Sequence, residues 1–290
     1  MGDGIAVTLP LGIWREGIRH QEAALRPLSG EDEAFLAEEC GSLPPVRQTT
    51  VLLNRCLTRL GPASPVPADA AESLAAGDRE ALLLHLRRLT FGERMPCVLT
   101  CPAPDCGAKM DLDLRIGDLL QPAYPDAAEL HEIAVPENGG SYRVRFRLPT
   151  GADLEAAADT AGNDLPAAAE RLLKRCITEV KRRGDDEPLT STPPAVLREL
   201  PEAMARLDPQ SEIRLELACP ECGRRFTTVL DAADFFFREL DGWSENLYRE
   251  VHLLAFYYHW SETEIMRMTA TKRKRYLNLL EKALSGEKSR

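Results

Sequence analysis

The sequence has 290 residues, 44% of them hydrophobic and 28% charged, with a net charge of −10 at pH 7. A chain of that length holds one large domain or two ordinary ones and has enough residues to bury a core. No stretch approaches the roughly 20 apolar residues of a membrane helix, and the acidic balance argues against a phosphate-binding surface, which needs excess cations.

The opening MGDGIAVTLPLGIWREG lacks a basic segment followed by a long apolar run, so no secretory signal is read there and the cytoplasm is the expected address. In that reducing compartment, eight cysteines are better explained as metal ligands and small buried hydrophobes than as disulfides.

Residues 1–27 show no strong periodicity and are read as an N-terminal arm. From there the chain repeats itself. Leu52-Leu53-Asn54-Arg55-Cys56-Leu57-Thr58 is answered 120 positions later by Leu172-Leu173-Lys174-Arg175-Cys176-Ile177-Thr178. Upstream, Leu28-Ser29-Gly30-Glu31-Asp32-Glu33 is set against Leu148-Pro149-Thr150-Gly151-Ala152-Asp153. Leu53, Cys56, Leu57 and Leu60 recur at helical spacing, as do Leu173, Cys176, Ile177 and Val180, so each set is expected on one helical face with its cysteine in the core.

Further along, the proline-rich stretches 61–70 and 184–194 read as loops. Asp78 is expected to cap a helix over 79–89, with Leu82, Leu83, Leu86 and Leu89 turned inward. His85 on that helix reads as a packed core histidine. Alternation in Met110-Asp111-Leu112-Asp113-Leu114 predicts a strand with a wet aspartate face. Tyr142 to Leu148, preceded by Asn138-Gly139-Gly140, predicts the second strand of a hairpin whose first strand covers Leu130 to Val135, with its arginines in solvent.

After Asp231 the chain reads as helical, with Leu247, Val251, Leu254 and Tyr258 as an inward stripe. The run Phe235-Phe236-Phe237 is expected to pack into the core. The basic stretch Lys272-Arg273-Lys274-Arg275, continuing to Arg290, reads as a solvated helix end whose cations suit the dipole.

Two cysteine knuckles carry the chemistry. Cys101-Pro102-Ala103-Pro104-Asp105-Cys106-Gly107 and Cys219-Pro220-Glu221-Cys222-Gly223 each present two thiols, and the glycine after the second cysteine suits a sharp bend. Structural zinc takes four ligands, so two pairs complete a thiolate site where one pair does not. A single structural zinc on Cys101, Cys106, Cys219 and Cys222 is therefore expected, with Cys97 as an alternative ligand and two metal-free turns as the alternative for the whole site.

Four thiolates leave no open coordination position for water activation. The deaminase pattern is met only by His20-Gln21-Glu22, since Ala218 stands where proline is needed before Cys219. No HExxH, phosphate loop, GxSxG or GxGxxG occurs, so no catalytic residue, small-molecule cofactor or substrate is assigned.

The expected fold is α+β and mainly helical: two diverged internal repeats joined by a shared zinc ribbon, followed by C-terminal helices. The units are an arm (1–27), a first repeat (28–120), a β-hairpin linker (121–147), a second repeat (148–235) and the C-terminal helices (236–290).

Gly77-Asp78-Arg79-Glu80-Ala81-Leu82-Leu83-Leu84, then Arg87, Thr90-Phe91-Gly92 and a cysteine knuckle, resembles the T-even-phage baseplate hub protein and hub-assembly chaperone family of contractile tails and phage-like contractile injection systems. Glu250-Val251-His252-Leu253-Leu254 and His259-Trp260-Ser261-Glu262-Thr263-Glu264-Ile265 resemble the closing helices of such tail-assembly proteins, and the resemblance covers most of residues 20–280. It implies a non-enzymatic structural or assembly protein that binds other baseplate, spike or hub proteins and neither a membrane nor a small-molecule substrate. The competing class is a zinc-ribbon adaptor for nucleic acid or a nucleic-acid-associated complex, which the net charge disfavours.

Overall fold

The structure is a computed structural model and describes residues 4–137, 140–161, 164–185 and 187–285. Helix occupies 47% and strand 27% of it, so the architecture is mixed α/β, built on four small sheets.

The N-terminal residues are not an arm. Strands β1 (Ile5–Arg15) and β2 (Ile18–Leu25) form an antiparallel hairpin whose Val7, Leu9, Ala23 and Leu25 lie in the first core. Apolar residues alternate from Ile5 through Leu11, but Pro10 and Gly12 disguise a strand, and the pairing shifts register between Thr8 and Ile13.

Helix α1 (Gly30–Glu39) starts at a capping box. Asp32 N–H donates to the Ser29 side chain, and Ser29 N–H donates back to Asp32. Helix α2 begins at Pro45, whose missing N–H costs nothing in a first turn, and ends at Cys56.

The expected helical stripe breaks there. Leu57 to Leu60 form strand β3, which pairs with β2 and gives the order β1-β2-β3. Cys56 O accepts from Arg26 N–H at 2.9 Å, so the backbone groups along β2 capture the chain and win over a local helical period. Cys56 itself is fully buried, as expected.

After the 61–70 loop and the single turn α3 (Ala70–Ser73) comes α4 (Ala76–Phe91), the axis of the molecule. Leu82, Leu83 and Leu86 face the first core. Leu84 faces the third, where the bases of two hairpins meet. The first hairpin is β4 (Arg94–Thr100) with β5 (Lys109–Arg115), followed by the short α5 (Ile116–Leu119). Asp111 and Asp113 are exposed along β5, as the alternation predicts.

Strands β6 (His131–Glu137) and β7 (Gly140–Phe146) form the expected hairpin, whose Asn138-Gly139 turn lies outside the described residues. It is not a linker. Val135, Tyr142, Val144 and Phe146 belong to the second core, because β7 pairs onward to a third strand. Arg143 and Arg145 are exposed, but Arg147 turns back to bind Asp153.

Helices α6 (Gly151–Ala161) and α7 (Leu165–Cys176) follow, and again the second of the pair stops at its cysteine. Ile177 to Arg182 are strand β8, not more helix, completing the sheet β6-β7-β8. Arg147 N–H donates to Cys176 O at 3.0 Å, the counterpart of the bond from Arg26 to Cys56.

Helix α8 (Pro194–Leu207) covers the second core, and a 3-10 turn (Pro209–Ser211) leads into β9 (Ile213–Ala218) and β10 (Arg225–Leu230), the second two-stranded hairpin. The long α9 (Ala232–Tyr258), α10 (Glu262–Met266) and α11 (Ala270–Leu284) close the chain. Leu247, Val251 and Leu254 are buried with Tyr258 packed beside them. Of the three phenylalanines, Phe236 is fully buried, Phe237 packs half-buried on the first core, and Phe235 lies at the base of the hairpins. Among the described residues no helix is long and apolar enough to cross a membrane.

Candidate metal centre and the junction around α4

Four thiols meet where the two hairpins end. Cys101 and Cys106 stand at the tip of β4–β5, and Cys219 and Cys222 at the tip of β9–β10. The tips are built alike. Cys101 N–H donates to Ala108 O at 2.8 Å and Cys219 N–H to Arg224 O at 2.9 Å, closing each turn. Gly107 and Gly223 follow with φ of 60° and 70°, a left-handed conformation that a side chain resists.

All four Sγ atoms lie within 4.8 Å of one another. Across the hairpins, Cys101 Sγ is 3.8 Å from Cys222 Sγ, and Cys106 Sγ is 3.8 Å from Cys219 Sγ. Zn–S bonds of about 2.3 Å in a tetrahedron put sulfurs about 3.8 Å apart. The donor set therefore fits a tetrahedral thiolate site, and the cluster is able to hold a metal ion. Cys101 and Cys219 are buried against Met110, Phe226 and Leu99, while Cys222 is exposed. Cys97, the alternative ligand, lies up strand β4 opposite Leu112 and outside the group.

Cys219 and Cys106 are displaced in opposite directions from the ordinary thiol value. The backbone N–H of Cys222, with that of Glu221, holds the Cys219 thiol down to about 7. At Cys106 a bond from the Ala108 backbone favours the thiolate, but burial and the neighbouring thiols outweigh it and push the group up to about 12. A bound dication would favour the thiolate form of each ligand.

His20, singled out by the partial deaminase pattern, sits in β2 opposite Ile13 and is not one of the clustered residues. His85 is buried as expected, its Nδ1 2.9 Å from Arg88, with burial first and Arg88 second bringing its pKa down to about 4.

A second constellation surrounds the start of α4. Asp78 does not cap its own helix, which begins two residues earlier after Ala75. Its buried carboxylate accepts from the N–H groups of Leu11 and Gly12, each at 2.9 Å, and so pins β1 to the axis. Gly77 N–H donates to Asp208 Oδ2 at 2.9 Å, and a Cβ on Gly77 would sit 1.9 Å from Asp208 Oδ1. Arg79 donates to Ala71 O, Val46 O and Thr50 Oγ1. At the other end Arg87 donates to both oxygens of Glu239 and to the carbonyls of Gly92 and Arg94.

Burial pushes Asp78 up to about 7, and burial likewise lifts Asp208 to about 6. The Gly77-Asp78-Arg79 motif thus joins β1, α2 and the turn after α8 to one helix end. A sequence shows these residues as a motif but not their partners, which lie 8 to 131 positions away.

A model of the family described as T4 bacteriophage base plate protein matches residues 62–238, more than half of the chain. The match spans both knuckles, Gly77-Asp78-Arg79 and Arg87, and ends one residue before Glu239, the partner of Arg87. No curated protein and no solved structure matches the chain. With a majority of its length under that family's pattern, the chain belongs to the T4 bacteriophage base plate protein family.

Proposed function

We propose that this chain is a non-enzymatic component or assembly chaperone of the baseplate of a phage tail-like contractile particle, built from two diverged copies of one unit that a single structural zinc clamps together. The zinc is held by Cys101, Cys106, Cys219 and Cys222 in a ribbon made of the two hairpins. The observation that carries this reading is the fit of the thiol cluster, whose two cross-hairpin separations of 3.8 Å match a tetrahedral site. A closed four-thiolate site has no place for substrate or water, so its work is to hold surfaces in register.

Duplication is supported by the bonds around two buried carboxylates. Asp32 is held by Arg26, Arg55 and the Ser29 cap; Asp153 is held by Arg147, Arg175 and the Thr150 cap. These bonds pair Ser29 with Thr150, one position further on than the offset of 120 that sets it against Pro149. Under this reading the proposed units are each a three-stranded sheet, two helices, a further helix and a hairpin, with β1–β2 opening the first and β6–β7 the second.

The partners are other baseplate, spike or hub proteins. The test is to delete the gene for the chain and inspect the particles. Missing or headless baseplates are expected. Peptide mass spectrometry of wild-type particles then separates a resident component from a chaperone that leaves, and intact, functional particles without the chain would overturn the proposal.

A further inference from the structure

Of the eight cysteines, all within the described residues, Cys222 alone is exposed; Cys97 and Cys106 are half-buried and the other five are buried. Its exposure is a property of the hairpin tip, where Pro220, Glu221, Gly223, Arg224 and Arg225 are exposed as well. Cys222 therefore meets solvent on one side. On the other, 3.8 Å away, lies the buried Cys101 Sγ of the opposite hairpin.

The third core fixes the two hairpin bases on α4 through Leu84, Met95, Ile116 and Ile213, so the tips stay within reach of one another whether or not a metal ion bridges them. A disulfide needs its sulfurs at about 2.05 Å. From a separation of 3.8 Å, two loop tips have only a short distance to share between them. A bond there joins residues 121 positions apart, and so constrains the unfolded chain far more than a bond inside either knuckle.

We propose that this tip is an oxidation site: hydrogen peroxide oxidises Cys222, and Cys101 then closes a disulfide across the two hairpins. The exposed sulfur attacks one peroxide oxygen, the O–O bond breaks, and Cys222 becomes a sulfenic acid as the first water leaves. The Cys101 sulfur then displaces the hydroxyl from Cys222, which departs with the Cys101 proton as a second water and leaves the S–S bond. Two thiols thus lose two electrons, and these reduce one hydrogen peroxide to two waters. The reaction withdraws two thiolates from any metal ion the cluster holds. The covalent tie then joins the same hairpins that the metal would join, and it persists in an oxidising medium such as a particle meets outside the cell. That setting rests on the proposed baseplate role; the reaction rests on the thiol geometry alone.

The full-length protein is reduced, freed of reductant, assayed for zinc and treated with equimolar hydrogen peroxide. Remaining thiols are blocked with N-ethylmaleimide, and peptides are mapped by mass spectrometry without reduction. The expected product links the Cys101 and Cys222 peptides, is undone by dithiothreitol, and melts above the reduced, metal-free protein. In chelator-treated protein, Cys222→Ser is expected to slow thiol loss roughly tenfold, whereas Cys97→Ser leaves it unchanged. Disulfides confined to Cys219–Cys222 or Cys101–Cys106 overturn the proposal, as does sulfinic acid at Cys222 without a disulfide, or an equal rate of thiol loss in Cys222→Ser. Thiols that survive peroxide both with zinc bound and after its removal overturn it while leaving the zinc site intact. A Cys101–Cys222 bond in protein that never held zinc supports it and counts against the zinc instead.

Discussion

Cys101 Sγ and Cys222 Sγ lie 3.8 Å apart although 121 positions separate them, because each stands at the tip of a two-stranded ladder whose base is packed on α4. The thiols are thus brought together from below, by burial of Leu84, Met95, Ile116, Ile213 and Ala232, before any metal is considered.

The protein purified under reducing conditions is expected to contain about one zinc per chain by elemental analysis. Cys219→Ser/Cys222→Ser should lose it and melt at lower temperature. Structural zinc is worth about 10–16 kcal/mol in small zinc-dependent peptides; here the cores already hold both hairpin bases, so a smaller loss is expected and the variant should keep its helical circular dichroism. Intact protein without zinc would leave the knuckles as plain turns.

Asp32→Ala and Asp153→Ala should destabilise the protein to similar extents, by about 1–3 kcal/mol each, since the Ser29 or Thr150 N–H loses its charged acceptor while the arginines, a third to a half exposed, regain water. Both carboxylates are 1% exposed, and their matching bonds measure 2.9 Å from Arg55 and 2.9 Å from Arg175. Chemical denaturation of the two variants checks this; a large loss in one and none in the other would argue against equivalent roles.

Stability should fall as pH rises from about 4 towards 7. Asp78 and Asp208 titrate at about 7 and about 6 in the folded protein, well above their ordinary 3.8, so between those values the folded state keeps protons that the unfolded chain releases. His85, held at about 4 by burial and Arg88, opposes this between about 4 and 6.5, but its displacement is smaller than that of the two carboxylates together. Asp32 also acts in the opposite sense. Burial alone would raise it, but Arg26 and the Ser29 N–H hold it at about 2, so its contribution is present above 3.8 and is lost as pH falls towards 2. A higher melting temperature at pH 5.5 than at pH 8 is expected, with the difference reduced in Asp78→Asn. Equal pH dependence in that variant would place the effect elsewhere.

Gly77→Ala should cost about 1–3 kcal/mol or more, because the new methyl group would collide with the Asp208 carboxylate that the Gly77 N–H also binds. Thermal melts of Gly77→Ala beside Gly242→Ala, where nothing lies within 4 Å of an added Cβ, provide the control.

What the sequence determined by itself was local or chemical. Helical periods placed Leu82, Leu83 and Leu86 inward, alternation exposed Asp111 and Asp113 on β5, and the Cys-Gly endings of both knuckles announced thiols turned to one side. These follow from neighbours within a few residues, where spacing alone decides which face a side chain takes. The tertiary structure decided where regular patterns stop. Leu57 and Ile177 continue a helical stripe on paper, yet both begin strands, because β2 and β7 offer unpaired backbone groups that a helix cannot satisfy.

Asp78 likewise has the composition of a cap but was taken by the N–H groups of Leu11 and Gly12, 67 and 66 positions away. Only the packed chain brings those donors to a buried carboxylate. Residues 5–25, without a clear period once Pro10 and Gly12 interrupt it, became an edge of the first core for the same reason: the partner strand β3 and helix α4, not the local sequence, supply the surface they cover.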